Sequence, residues 1–323
     1  MRRRPGLIAT SGALSLMLAL QLLALALIRP FDEAGYEPVD DPTNPIYGVL
    51  FLVVILVATG LMLIAFKHDL QTLIRGAIIA IAGLLTWYVA AALTPIYVMI
   101  SVAGLAFDII SIMFAIGVVV ALLFYPEWYV IDLTALIIGA GAAALFGISF
   151  SILPILILLV VLAVYDAISV YGTKHMLTLA EGAMTMRIPV LLVIPLSLEF
   201  TTERLVEPTE DATDSGDQTD QVGATEMDAI FLGLGDLVIP SILIISAAGQ
   251  GLGDTVITFL GLGLGFEVLG AMLGSLIGLA VLIWMVFQGR AHAGLPVLNG
   301  GVIIGYLTGA IVAGIGLSAA IGF

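Results

Sequence analysis

The sequence contains no cysteine, which excludes disulfides, thiolate metal sites and cysteine nucleophiles together. Charge is scarce too: 11% of the residues are charged, against about a quarter in a soluble globular domain. Basic residues are the scarcest, ten Lys and Arg against 24 Asp and Glu for a net charge of −14. A phosphate backbone needs a basic surface, so nucleic acid is excluded as a partner. Only three histidines occur, His68, His175 and His292. All fall near the same predicted membrane surface and read as solvated side chains, so neither a metal nor a cofactor is expected.

What the chain has instead is apolar length. Of its 323 residues 61% are hydrophobic, and mean hydropathy is +1.20, so water cannot be its main solvent. A bilayer core needs roughly 20 apolar residues in a helix. Runs of that kind fall at 7–28, 47–66, 74–96, 102–125, 131–149, 152–172, 228–248, 266–288 and 294–321. They are apolar all round rather than alternating with period two, which predicts helices, not barrel strands. The expected fold is therefore an all-α polytopic membrane protein with nine transmembrane helices. Met1–Gly6 carries three arginines, as a signal peptide would, but the run that follows is longer than a signal's apolar core and reads as a retained helix.

Lys and Arg set the orientation. With the N-terminus inside, nine of the ten fall on the cytoplasmic side and Arg29 alone outside; the C-terminus is then external. The chain divides into helices 1–6 (1–172), a cytoplasmic loop (173–227) and helices 7–9 (228–323). The loop's second half holds nine acidic residues counted through Asp228, which reads as a disordered, solvated stretch or as adaptation to high salt. Its first half ends in Ile188–Pro195, too short to span, which should lie at the interface or form a strand there.

Buried carboxylates are costly in a bilayer and mark functional sites. Asp132, Glu267 and Asp254 fall near predicted helix ends and read as solvated boundary acids, while Asp108 is deeper and has no evident partner. Asp166 and Asp236 stand apart. One lies six residues before the cytoplasmic end of segment six and the other eight residues after the start of segment seven, roughly 9 and 12 Å below the same surface at 1.5 Å per residue. Two carboxyls that meet share one proton. One then takes a proton from water attacking a peptide carbonyl, and the other donates to the carbonyl oxygen and helps the amine leave. An ion- or proton-coupled transporter or channel is the rival reading, since buried acids also relay cations, but no internal repeat supports it.

The residues around these acids resemble the presenilin and signal-peptide-peptidase family of intramembrane aspartyl proteases. Tyr165-Asp166 matches that family's YD motif, Gly233-Leu234-Gly235-Asp236 its GLGD motif, and Ala293-Gly294-Leu295-Pro296 its PALP motif, with departures at the first two positions. Glu127–Asp132 is also similar to the start of a family helix. Gly251-Leu252-Gly253-Asp254 repeats the GLGD letters at the far end of segment seven and reads as a decoy. The resemblance, closest to archaeal presenilin homologues, implies a presenilin-like fold and an aspartic endopeptidase that cuts transmembrane or membrane-inserted peptides in the lipid bilayer. It also implies catalytic Asp166 and Asp236, substrate contacts from Tyr165, Gly233, Leu234, Gly235 and Ala293–Pro296, and no obligatory protein subunit.

Overall fold

Apolar runs without water to bond their backbones become helices, because a helix satisfies its own N–H and C=O groups. The computed structural model describes residues 3–36, 43–44, 46–68, 70–94, 99–102, 105–173, 191–195, 229–288 and 293–322. The elements are α1 (Arg3–Glu33), α2 (Ile46–Lys67), α3 (Gln71–Leu93), β1 (Met99–Val102), β2 (Leu105–Asp108), α4 (Ile109–Phe124), α5 (Trp128–Ser149), α6 (Ile152–Ile168), β3 (Leu191–Pro195), β4 (Ala229–Gly233), α7 (Leu234–Gln250), β5 (Ile257–Phe259), β6 (Leu262–Leu264), α8 (Phe266–Val286), α9 (Gly294–Val312) and α10 (Leu317–Ile321). Among the described residues, six helices are long and apolar enough to cross a membrane: Thr10–Glu33, Thr72–Leu93, Trp128–Ser149, Ile152–Tyr171, Phe266–Val286 and Gly294–Val312. Three more apolar helices are shorter, Ile46–Met62, Ile109–Phe124 and Leu234–Gln250.

Three expected boundaries move, each for a local reason. Segment 102–125 begins as a helix only at Ile109, because β1 and β2 pair antiparallel ahead of it. Asp108 caps that helix: it accepts from the Ile110 N–H at 3.0 Å and from the hydroxyls of Thr94 and Ser111. This supplies the partner that the sequence left open for Asp108. Segment 228–248 starts as strand β4, which pairs with β3 from Leu191↔Gly233 to Pro195↔Ala229, so the Pro-bounded apolar run does form a strand. Segment 294–321 stops at Val312, where Gly314 takes a positive φ of 73°, a backbone state that glycine enters without penalty.

The centre of the molecule is α7, buried from Pro240 to Ala248, with α1, α5, α6, α8 and α9 around it. α1 belongs to this core, with Met17, Leu20, Ala24 and Phe31 fully buried. α8 and α9 lie backbone against backbone. A Cβ on Gly274 would come within 2.9 Å of the Gly305 Cα, and one on Gly278 within 3.0 Å of the Val297 carbonyl oxygen. Gly270, Gly301 and Gly309 face the partner helix's backbone in the same way. Small residues every fourth position permit this approach where lipid offers no hydrophobic drive between helices. α2 and α4 lie at the periphery and turn large apolar side chains outward, including Leu50, Val54, Leu61, Met113 and Phe124. A hydrocarbon solvent accounts for that surface.

Candidate active site

Asp166 is two residues from the end of α6, which continues through a wide turn at Ser169–Thr173. Asp236 is the third residue of α7. Asp236 is closer to its helix start than the sequence indicates, since β4 takes up residues 229–233. α6 ends and α7 begins at the same end of the bundle, which puts the two carboxyls at that end together.

The third element at this point is the start of α9. A helix's first turn leaves backbone N–H groups without partners inside the helix. Here one of them is used on Asp166: the Leu295 N–H donates to its Oδ2 at 3.0 Å, and the Gly294 N–H also faces that carboxyl. Asp166 is 4% exposed, so this bond stands in for lost water. Asp236 reaches the same place from the other side, since a Cβ on Gly294 would lie 3.7 Å from its Oδ2. Two acidic side chains and one helix N-terminus thus converge. That N-terminus, with its partial positive charge, suits negative charge beside it.

Gly233 is the residue before α7, and a Cβ there would lie 3.0 Å from Asp236 Oδ2. A side chain at 233 would crowd the carboxyl that folds back over it. Gly235 is exposed, with only the Ile239 tip near its Cβ direction, at 3.9 Å, so the path to Asp236 past this residue is open. Leu234 instead turns toward α5, where its Cδ1 would touch a Cβ on Gly139 at 2.8 Å. Tyr165 is half-buried next to Asp166.

In the PALP-like stretch, Leu295 is buried with Leu158 and Leu162 of α6, which seats α9 against the helix carrying Asp166. Ala293 is buried and extended, and its N–H donates to the Tyr171 hydroxyl at 3.3 Å. Pro296 is half-buried. The backbone of this stretch faces the site, and Asp166 itself takes up the Leu295 N–H.

Two contributors carry no motif. Asn299, fully buried, donates from Nδ2 to the Leu159 carbonyl at 2.8 Å and ties α9 to α6 one turn beyond Leu295. A lone amide in an apolar helix was the available signal. Tyr171 had none. The boundary acids divide. Asp254 is exposed beyond the opposite end of α7, with roughly 21 Å of helix between that end and Asp236 at 1.5 Å per residue. Asp132 and Glu267 are 7% and 1% exposed. Neither is solvated, because the β3 edge covers the first and Gly253 and Gly265 flank the second. The second half of the 173–227 loop and His175 and His292 lie outside the described residues.

Residues 14–315 match the family model described as signal-peptide peptidase, presenilin aspartyl protease. Two solved structures of a presenilin family intramembrane aspartate protease, in C222 and P2 crystal forms, superpose on the chain with TM-scores of 0.63 and 0.62. Each is 33% identical to it over 94% of this chain, and the matches cover 99% and 97% of those chains. No curated protein matches the chain.

Proposed function

The chain belongs to the signal-peptide peptidase and presenilin aspartyl protease family, and on that premise we propose that Asp166 and Asp236 are its catalytic pair. The family and the likeness to solved intramembrane aspartate proteases make it a multi-pass intramembrane aspartic endopeptidase acting on transmembrane substrates. They also displace the transporter reading. The observation that carries the assignment is the meeting of both carboxyls at the α9 N-terminus.

The chemistry follows from two like carboxyls sharing one proton. The ionised member takes a proton from water as its oxygen attacks the scissile carbonyl carbon. The protonated member donates to the carbonyl oxygen, giving a tetrahedral diol. Collapse of the diol breaks the C–N bond, and the amine leaves with a proton from the pair. The pair titrates as a unit, so neither aspartate owns the proton. Leu295 and Gly294 hold the Asp166 carboxyl in place through their N–H groups. Open space at Gly235 and the half-buried Tyr165 support substrate contact there. Gly233, Leu234, Ala293, Leu295 and Pro296 act more on the placement of the aspartates than on substrate.

We propose nine spans, the six long helices plus α2, α4 and α7, with the N-terminus cytoplasmic and the C-terminus external. The bias of nine in ten basic residues supports this orientation. It places the pair toward the cytoplasmic face, between a 1–172 block and a 228–323 block, with the loop 173–227 joining them. Single-span proteins or their remnants are the substrates this suits. Both aspartates and the α9 N-terminus come from one chain, which supports action without an obligatory subunit.

The test is cleavage of a single-span substrate by purified protein in detergent, read by mass spectrometry. Wild type and Asp254→Asn should cut within the apolar segment, while Asp166→Asn and Asp236→Asn should be silent. Cutting at the wild-type rate by either of the last two removes the assignment.

A further inference from the structure

Asp132 sits one turn into α5 and is 7% exposed. Its Oδ1 accepts a hydrogen bond at 2.8 Å from the backbone N–H of Val193, 61 residues along the chain. A carboxyl is costly to bury, so one retained at such a place needs its partner. Val193 lies in the middle of β3, whose other edge is paired with β4 in the register Val193↔Phe231. In an antiparallel pair, successive residues turn their N–H groups alternately toward and away from the partner strand. The Val193 N–H points away from β4, and Asp132 is what receives it.

The consequence runs along β4. Leu191 stands opposite Gly233 at the end of the ladder. Gly233 is also the residue that starts α7, and its Cβ direction meets the Asp236 carboxyl at 3.0 Å. Wherever β3 is held, β4 and the first turn of α7 are held too. No tight turn does this work, because 33 residues separate Pro195 from Ala229 and the commonest hairpin connections are only two. What fixes the ribbon is its seat on the bundle. Leu192, Val193 and Ile194 are buried, Ile194 lies against Gly12 of α1 at 3.0 Å from that residue's Cβ direction, and Asp132 bonds the strand edge. Apolar contacts fix depth but tolerate sliding along the strand. A directional bond to one N–H fixes register, and a slip of one residue would turn every side chain of β3 over.

We propose that Asp132 is a positioning residue for the proteolytic site: it pins β3 to α5 at Val193 and thereby holds β4 and Asp236 in register with Asp166. This rests on the assignment of Asp166 and Asp236 as the catalytic pair. Asp132 is not a catalytic residue and contributes no proton to the reaction. Its requirement is for an oxygen acceptor at that point, not for a charge.

The experiment compares wild type with Asp132→Asn and Asp132→Leu as purified full-length protein, measuring kcat and KM on a single-span substrate, thermal melting, and hydrogen exchange over 191–195. Asp132→Asn keeps an acceptor and should retain kcat within about threefold, well inside the range that misplacement produces. Asp132→Leu should lose kcat by roughly ten- to a hundredfold, the effect expected of catalytic groups displaced by about 1 Å. Its KM should change little, and exchange at Val193 should speed up. If Asp132→Leu does not fold, Asp132→Ser, too short to reach the strand, takes its place. Wild-type kcat in a folded Leu or Ser variant overturns the proposal. So does a loss in Asn equal to that in Leu, or a loss confined to KM. Asp166→Asn and Asp236→Asn run alongside. Their silence with an unaffected Asp132→Leu sinks the positioning role alone, whereas their activity sinks the catalytic pair itself.

Discussion

Leu295 gives its backbone N–H to the Asp166 carboxyl at 3.0 Å across 129 residues of sequence. The donor is available because it lies in the first turn of α9, where no earlier carbonyl of that helix exists to receive it. The next residue, Pro296, has no N–H at all, so the donation at 295 cannot be passed to its neighbour.

Leu295→Pro removes that donor together with the side chain packed on Leu158 and Leu162, so Leu295→Ala, which keeps the N–H, is its control. Proline is tolerated in a helix's first turn, so α9 should still form while the donor disappears. A hydrogen bond to a charged group contributes about 1.5–3 kcal/mol, so the cleavage rate should fall roughly ten- to a hundredfold. The comparison is single-turnover cleavage against a melting curve. An unchanged rate would show that Asp166 does not depend on this donor.

The departure from the family's motif at 293–294 should be reversible. Ala293 has φ −67°, which proline's ring matches, and its N–H makes a long 3.3 Å bond to the Tyr171 hydroxyl. A Cβ on Gly294 would meet Leu282 Cδ2 at 3.3 Å and Asp236 Oδ2 at 3.7 Å, and a leucine tip can yield. The double change Ala293→Pro, Gly294→Ala should therefore leave cleavage within about fivefold of wild type, given that one weak neutral hydrogen bond is worth about 1 kcal/mol. Gly294→Val, which pushes further toward Asp236, should cost more. Equal activity of the two would remove the steric argument.

Gly305→Ala should destabilise the protein although it adds one methyl group. Its Cβ would be 2.9 Å from both the Gly270 carbonyl carbon and the Gly274 Cα, which are backbone atoms that cannot rotate away. Overpacking of this kind costs about 1–3 kcal/mol, read as a lowered midpoint of thermal unfolding in detergent. Gly300→Ala, with open space at its Cβ, is the control. Equal midpoints for the two would mean that α8 and α9 are not in backbone contact.

Asp108→Ala should lower stability with no separate effect on catalysis. It removes the acceptor for the Ile110 N–H and for the Thr94 and Ser111 hydroxyls, and loss of such a cap costs about 0.5–2 kcal/mol. Cleavage measured below the melting range should match wild type. A fall in kcat there would give Asp108 a role beyond capping.

Much of this molecule was legible as letters. The apolar helices, and the placing of Asp166 and Asp236 at one end of the bundle with Asp254 at the other end of α7, follow from hydropathy and a fixed rise per residue. Asp132 and Glu267 were not legible. Sequence gives a residue's distance from a helix end but not what covers it, and in both cases a segment distant in the chain, or a glycine-lined fold of it, does the covering.

The sequence alone sufficed to show that this chain lives in a bilayer, roughly where its apolar helices run, and that Asp166 and Asp236 fall toward the same end of them. Periodicity, length and charge are local quantities, and they suffice for such statements. Tertiary structure was needed to show that Asp166, not substrate, receives the Leu295 N–H at the start of α9, that six glycines bring α8 and α9 into backbone contact, and that residues 229–233 leave the helix to pair with β3. Each is a directional contact between segments far apart in sequence, and such contacts are selected by the packing of the whole bundle rather than by any stretch of it.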